Sequence, residues 1–352
     1  LRALPLSMVA AGALLLGRDA LAHRFDAPAL AEVLPGFAVA IPAIALALVA
    51  SGALKALRRP GTATLAENGA LPLLAAVGVG AAAWMHGAGI GVLGPAYAVA
   101  AVVVLGLAAT RTLALLPRGR APEPMDRSGF DRSARAFLVL GLTGLAQTSG
   151  VVLLLGLVLE TDALGQFRAA LQLAALVSIP PIALGAVFPP RYAAHHHAGD
   201  HAGLERTAAV GVLLSVATAG PIAAGVLLFP DLLLGSLGAE FRGAGDLLRI
   251  LALGHFANAA LNLVGYVLTG CGHESAARNI RLLTTVAGLA VLLPASRWFG
   301  AAGAAWVVAA MLAGQNLLFV YATWRTAGIW SLPGPNLLAR VGVRGGRDAP
   351  AP

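Results

Sequence analysis

Ten apolar stretches, each about twenty residues long, follow one another through this chain with short polar breaks between them. They run over Leu4–Leu21, Val33–Leu54, Leu65–Trp84, Ile90–Leu116, Ala136–Leu159, Gly165–Phe188, Leu204–Phe229, Leu247–Thr269, Asn279–Trp298 and Ala301–Trp324. At 1.5 Å per residue each reaches across roughly 30 Å of hydrocarbon. Glycine and proline inside them do not argue against helices, because membrane helices tolerate small and kinking residues. Hydrophobic residues make up 58% of the chain and charged ones 11%, with a mean hydropathy of +0.81. A water-soluble domain has about a quarter of its residues charged, and this chain has too little polar surface to cover so large a core. The expected fold class is therefore an all-α polytopic membrane protein with about ten transmembrane helices.

The one long polar interruption is Pro117–Arg135, PRGRAPEPMDRSGFDRSAR, with five arginines and three prolines. Such a stretch neither enters a bilayer core nor builds a packed helix. It divides the chain into an N-terminal bundle of four helices (1–116), a cytoplasmic linker (117–135) and a C-terminal bundle of six (136–330). A Pro/Gly/Arg-rich tail (331–352) is expected to be disordered and cytoplasmic. With the N-terminus inside, only Arg18, Arg24, Arg168, Arg242, Arg249 and Arg297 fall outside; the other eighteen of the 24 Lys and Arg fall inside. The bias holds at every loop, which sets the orientation and places the chain as a multi-pass protein of the cytoplasmic (inner) membrane. The net charge of +8 then points to topology and anionic membrane lipids as partners, not to nucleic acid.

Several chemistries find no support. One cysteine, Cys271, excludes an intrachain disulfide and a cysteine-based metal cluster. His195, His196, His197 and His201 lack the fixed spacing and supporting shell of a metal site. There is no Walker A motif, and every outer loop is too short for a catalytic domain. No cofactor, no metal and no enzymatic activity are expected.

Polar groups inside membrane helices are costly and so are functional candidates. His255, Asn258, Asn262, Tyr266 and Thr269 recur at spacings of three and four, on one helix face. They either line a watery cavity or bond neighbouring helices. Gln147, Gln315 and Asn316 are deep amides open to the same two readings. Arg168 and Gln172, four apart, suit a pyrophosphate or acidic sugar, or Arg168 snorkels outward. Asn279 and Arg281 mark an inner mouth where an anionic headgroup would fit. Pro180–Pro181 should kink its helix. No carboxylate sits mid-span.

The ordered series DALGQFRAALQLAALVSIPPIALGAVFPPRY (Asp162–Tyr192), Gly199–Asp200, LGAEFRGAGDLLRILALGHFANAALNLVGYVLTGCG (Leu237–Gly272) and FGAAGAAW (Phe299–Trp306) resembles the polysaccharide-biosynthesis branch of the multidrug/oligosaccharidyl-lipid/polysaccharide (MATE-like) flippase superfamily. The resemblance is good from about Arg135 to Ile329 and looser before it, through the KALRRPG loop. It implies two bundles of six helices closing over a central cavity that opens to either side in turn. The first stretch here would match the family's third helix, so the resemblance implies a MATE-like two-bundle fold lacking its first two helices, with more native chain before Leu1. Family members often carry Arg where this chain has Gln172.

The implied function is alternating-access flipping of a polyprenyl-pyrophosphate-linked oligosaccharide, as in lipopolysaccharide and other surface polysaccharide synthesis. A polysaccharide polymerase or export machinery is then a candidate partner beside the lipid-linked oligosaccharide. Alternatives are a lipid II flippase, a MATE-type drug/cation antiporter, or, from another class, a multi-span polysaccharide polymerase or acyltransferase. An antiporter favours an acidic cavity, whereas this polar set is neutral to basic.

Overall fold

The computed structural model describes residues 3–57, 59–87, 89–116, 138–139, 141–185 and 187–334, which leaves the linker 117–135 outside the described residues. Every regular element among these is helical. The chain divides into two compact units, Leu1–Pro124 and Met125–Pro352.

The first unit contains α1 (Ala3–Arg24), α2 (Ala29–Ala56), α3 (Pro60–Thr64), α4 (Ala70–His86) and α5 (Leu93–Leu115). α2 lies between α1 and α5, and α4 packs on α5. Small residues make this possible. Ala40, Ala43 and Ala101 form the core, and Gly36 and Gly94 meet backbone to backbone where α2 crosses α5, leaving no room for a Cβ on either. Lipid tails supply no hydrophobic drive between helices, so close backbone approach has to. Large apolar side chains point outward instead, Leu16 and Trp84 among the most exposed.

The sequence reads Leu65–Trp84 as one span. The structure begins it at Pro60 and bends it by 47° between Gly61–Glu67 and Ala70–Met85. A π-turn, Leu65–Gly69, sits at the bend. Within it Glu67 accepts from Lys55 Nζ at 2.7 Å, tying the turn to the end of α2.

The second unit begins with α6 (Gly141–Leu155), interrupted by a π-turn at Ala146–Gly150. α7 (Thr161–Ala175) continues through a 3₁₀ turn, Leu176–Ser178, into α8 (Ile179–Leu184). Where a kink is expected at Pro180–Pro181, the structure shows a tightened 3₁₀ turn just before the prolines within a continuous span. Neither has an N–H to donate to the carbonyls of Leu176 and Val177, so the chain tightens there. The span expected to run to Phe188 stops at Leu184. A separate helix follows, α9 (Phe188–His197), and it places His195, His196 and His197 in its last turn. Next come α10 (His201–Leu228), α11 (Pro230–Gly235) and α12 (Gly245–Gly270).

The final helical run, Glu274–Ala327, is 54 residues long. At 1.5 Å per residue that is about 80 Å, more than twice a bilayer core. Gly300 breaks it with φ 59° and ψ −148°, a backbone state nearly confined to glycine. The run is therefore two helices, α13 (274–299) and α14 (301–327), joined at the FGAAGAAW turn.

α12 is the centre of the second unit. It packs against α7, α10 and the α13–α14 pair. Leu248, Leu251, Ala252 and Ala259 on α12 are fully buried with Phe167, Ala170, Ala304 and Ala305. At Gly254 the backbones come so close that a Cβ would stand 2.5 Å from the Cα of Ala309. A second cluster gathers Phe188, Tyr192, Leu204, Leu263, Val267 and Cys271 around Ile329. Burial there pushes the Cys271 thiol up, which keeps it an unreactive thiol. Gly328 turns the chain back after α14 with φ 66°. The backbone N–H of Trp330 then donates to Glu205 Oε1 at 2.9 Å. Ile329 and Ser331 are each 1% exposed, so the start of the tail expected to be disordered from Ser331 is tucked into the bundle; 335–352 lie outside the described residues.

Candidate functional site

The polar face of α12 is the natural starting point. Its register places His255, Asn258, Asn262 and Tyr266 along one stripe, and the structure divides that stripe in two. The upper half is engaged. His255 Nδ1 lies 3.1 Å from Ser178 Oγ, in the 3₁₀ turn between α7 and α8. Asn258 Oδ1 accepts from Asn316 Nδ2 of α14 at 2.9 Å. The lower half is open. Asn262 is half-buried and makes no side-chain hydrogen bond to a described residue. Tyr266 is 38% exposed. Thr269 turns its hydroxyl back onto the Tyr266 carbonyl at 3.1 Å and adds nothing to the open face.

Asn316 is fully buried. Its Nδ2 also donates to the Leu312 carbonyl at 2.8 Å; a carbonyl can only accept, so this contact fixes which end of the amide is nitrogen. Oδ1 of Asn316 and Nε2 of His255 are buried without a partner among the described residues. Each such atom costs roughly 1–3 kcal/mol, so the engaged half stores unmet hydrogen-bonding capacity beside the open half.

Gln147, Gln315 and Thr285 form a second group. Gln147 lies in the π-turn of α6. Its Nε2 donates to Thr285 Oγ1 of α13 at 2.7 Å and to Gln315 Oε1 of α14 at 2.8 Å. The Thr285 hydroxyl in turn donates to the Arg281 carbonyl at 2.7 Å. Gln315 and Asn316 are adjacent on α14 and point about 100° apart, so one amide holds α6 and α13 while the next holds α12. Of the two readings open for these amides, this conformation shows interhelical bonding.

Arg168 and Gln172 stand one turn apart on the exposed side of α7, opposite the buried Phe167, Ala170 and Ala174. They are not brought to the α12 stripe by any described hydrogen bond. Asn279 and Arg281 belong to the first turns of α13. Asn279 is exposed and accepts two long contacts, 3.4 Å each, from Arg278; Arg281 is half-buried. The partners Ser178, Thr285 and Thr284, whose Oγ1 reaches Gln315 Oε1 at 3.4 Å, were missed in the sequence. A lone hydroxyl in an apolar run usually bonds its own helix backbone, and nothing in the spacing separates these three from the rest.

The arrangement offers neutral amides, a phenol, an imidazole and an arginine on membrane helices. Among the described residues of the second unit no carboxylate lies mid-helix, and among all described residues no group of His, Cys, Asp and Glu could hold a metal ion. Amides, phenol and imidazole hydrogen-bond hydroxyls, and the exposed Arg168 suits an anion.

A family model, MatE, matches residues 149–293, from within α6 into the last third of α13. The fold is similar to a solved structure described as the inward-facing conformation of a multidrug resistance MATE family transporter of the MOP superfamily. The TM-score is 0.71 at 15% identity, over 92% of this chain and 80% of that one. No curated protein matches the sequence. Residues 149–293 thus match the MatE family model within a fold like that of a MATE transporter, and the chain is a multi-pass membrane protein.

Proposed function

We propose that this protein flips a polyprenyl-pyrophosphate-linked oligosaccharide across the cytoplasmic membrane for surface polysaccharide synthesis. The observation that carries the reading is the chemistry of the polar groups in the second unit. Asn262 and Tyr266 offer open hydrogen-bonding groups, and Arg168 and Gln172 offer an exposed cation and amide, with no mid-helix carboxylate among the described residues of that unit. Sugar hydroxyls and a pyrophosphate are matched by amides and arginine. The task needs no covalent step, only a polar path and two alternating states.

The cytoplasmic face follows from the eighteen-to-six bias of Lys and Arg, and polymerase or export machinery would receive the flipped substrate. A second reading, export of cationic drugs, is favoured by the solved transporter of like fold. Against it, the described residues of the second unit offer no mid-helix carboxylate that a cation would seek. Inactivating the gene in its native cell tests the choice. Loss of surface glycan with lipid-linked oligosaccharide retained inside, and unchanged tolerance to cationic drugs, is the expected result. Normal glycan with lost drug tolerance would establish the second reading.

A further inference from the structure

A groove of about 350 Å³ runs between α13 and α14 on the exposed side of the second unit. It is built from two helical registers. Asn279 and Leu283 are four apart on α13; Leu318, Tyr321 and Arg325 follow at three and four on α14. Because α13 and α14 run antiparallel about the Gly300 turn, the groove is graded along its length. Leu283 and Leu318 form its deep end, Tyr321 its middle, and Asn279 and Arg325 its mouth. Mouth and deep end are about 10 Å apart along α14 at 1.5 Å per residue. Leu283 and Tyr321 are 63% and 57% exposed.

Arg325 has no carboxylate partner among the described residues. Arg278 reaches Asn279 with Nε and Nη2, which adds a second cation at the same mouth. An apolar trough that ends in two guanidinium groups and an amide matches one lipid molecule, with acyl chain below and phosphate above. Arginine pairs with phosphate through two parallel N–H donors. Tyrosine suits the boundary between tail and headgroup. We infer that this groove is a specific site for an anionic phospholipid, with the phosphate held by Arg325 and Asn279 and one acyl chain laid over Leu283, Leu318 and Tyr321. The site lies outside the α12 stripe and does not depend on which substrate the protein moves.

Native mass spectrometry of the full-length purified protein, offered equal amounts of phosphatidylglycerol and phosphatidylcholine of the same acyl length, tests it. The wild type should retain the anionic lipid about fivefold over the zwitterionic one, the size expected of one arginine at an anionic headgroup. Arg325→Ala should abolish most of that preference and Arg325→Lys should keep most of it. Arg297→Ala, at the other end of α13, should leave it unchanged. Leu318→Trp, which fills the trough, should reduce retention of both lipids. Equal retention of the two lipids by the wild type would overturn the site, as would an Arg325→Ala protein with undiminished preference. Displacement of phosphatidylglycerol by equimolar polyprenyl phosphate would also overturn it, by giving the groove to the substrate's own carrier.

Discussion

Asn316 Nδ2 donates to Asn258 Oδ1 at 2.9 Å, an amide pair that joins α14 to α12 across the interior of the second unit. The pair removes from solvent two of the groups that the sequence offers as a polar path. It leaves Asn262, one turn further along α12, as the first amide of the stripe without a described partner. Interhelical pairs of this kind average about 0.6 kcal/mol in membranes and reach about 1.7. Asn258→Leu and Asn316→Leu should therefore be non-additive, with a coupling of that order in a reversible unfolding titration. Asn258→Leu with Asn262→Leu should be additive. Equal coupling in both combinations would contradict the division of the stripe.

Gly254 predicts a steric effect. Its Cβ would meet the Ala309 backbone, and backbone cannot swing aside as a side chain can. Gly254→Ala should push α12 from α14 and cost about 1–3 kcal/mol, although alanine is the better helix former. Gly265→Ala is the milder comparison, since it meets only the Phe319 ring at 3.1 Å. The measurement is thermal unfolding in detergent, with the larger loss expected at Gly254.

The fastening of the chain beyond α14 makes a third prediction. Ile329 is buried among α9, α10 and α12, and Glu205 holds the next backbone N–H. Ile329→Ala should cost about 2 kcal/mol or more, and Glu205→Ala should add exposure of the Trp330 amide. Limited proteolysis should then cut between Gly328 and Gly334 in the variants sooner than in the wild type. Equal cutting would show that the strap contributes nothing to the bundle.

Asp200 gives a pH dependence. Its carboxylate caps α10 by accepting from the Gly203 N–H and lies 2.9 Å from His195 Nδ1. Those two contacts, the Gly203 N–H first, hold the carboxyl below its usual range. A folded-state pKa lowered in this way stabilises the protein above the unfolded carboxyl's pKa, and the contribution fades as pH falls through the folded value. Acidification should loosen the start of α10, read by amide exchange at Gly203, and Asp200→Asn should flatten that acid response. An unchanged response in the variant would remove Asp200 as its source.

Much of the fold was legible because hydrocarbon imposes a simple rule: long apolar runs become helices, and polar breaks become turns. The break at Gly300 was readable from the FGAAGAAW stretch, and a local disturbance before Pro180–Pro181, seen as a 3₁₀ turn, from the missing N–H groups. Other features depend on contacts that no local pattern records. The bend at Leu65–Gly69 is tied by Glu67 to a lysine twelve positions away. The burial of Ile329 needs three helices already in place. The candidate residues were legible by polarity alone, but their sorting was not. Gln147 finds Gln315 across 168 positions and His255 finds Ser178 across 77, whereas Asn262 on the same stripe finds no described partner. Helical periodicity assigns a face; it cannot say whether a neighbour or water answers it.

The most direct test places purified protein in liposomes and follows the movement of a fluorescent polyprenyl-pyrophosphate-linked oligosaccharide between leaflets. The account predicts transfer by the wild type and by Asn316→Leu at a rate that tracks the folded fraction. It predicts a fall of tenfold or more per folded molecule, about 1.4 kcal/mol in the barrier, when Asn262→Leu and Tyr266→Phe are combined, because that open face would carry the sugars. Full transfer per molecule by the double variant, or no transfer by the wild type beside active efflux of a cationic dye, would contradict it.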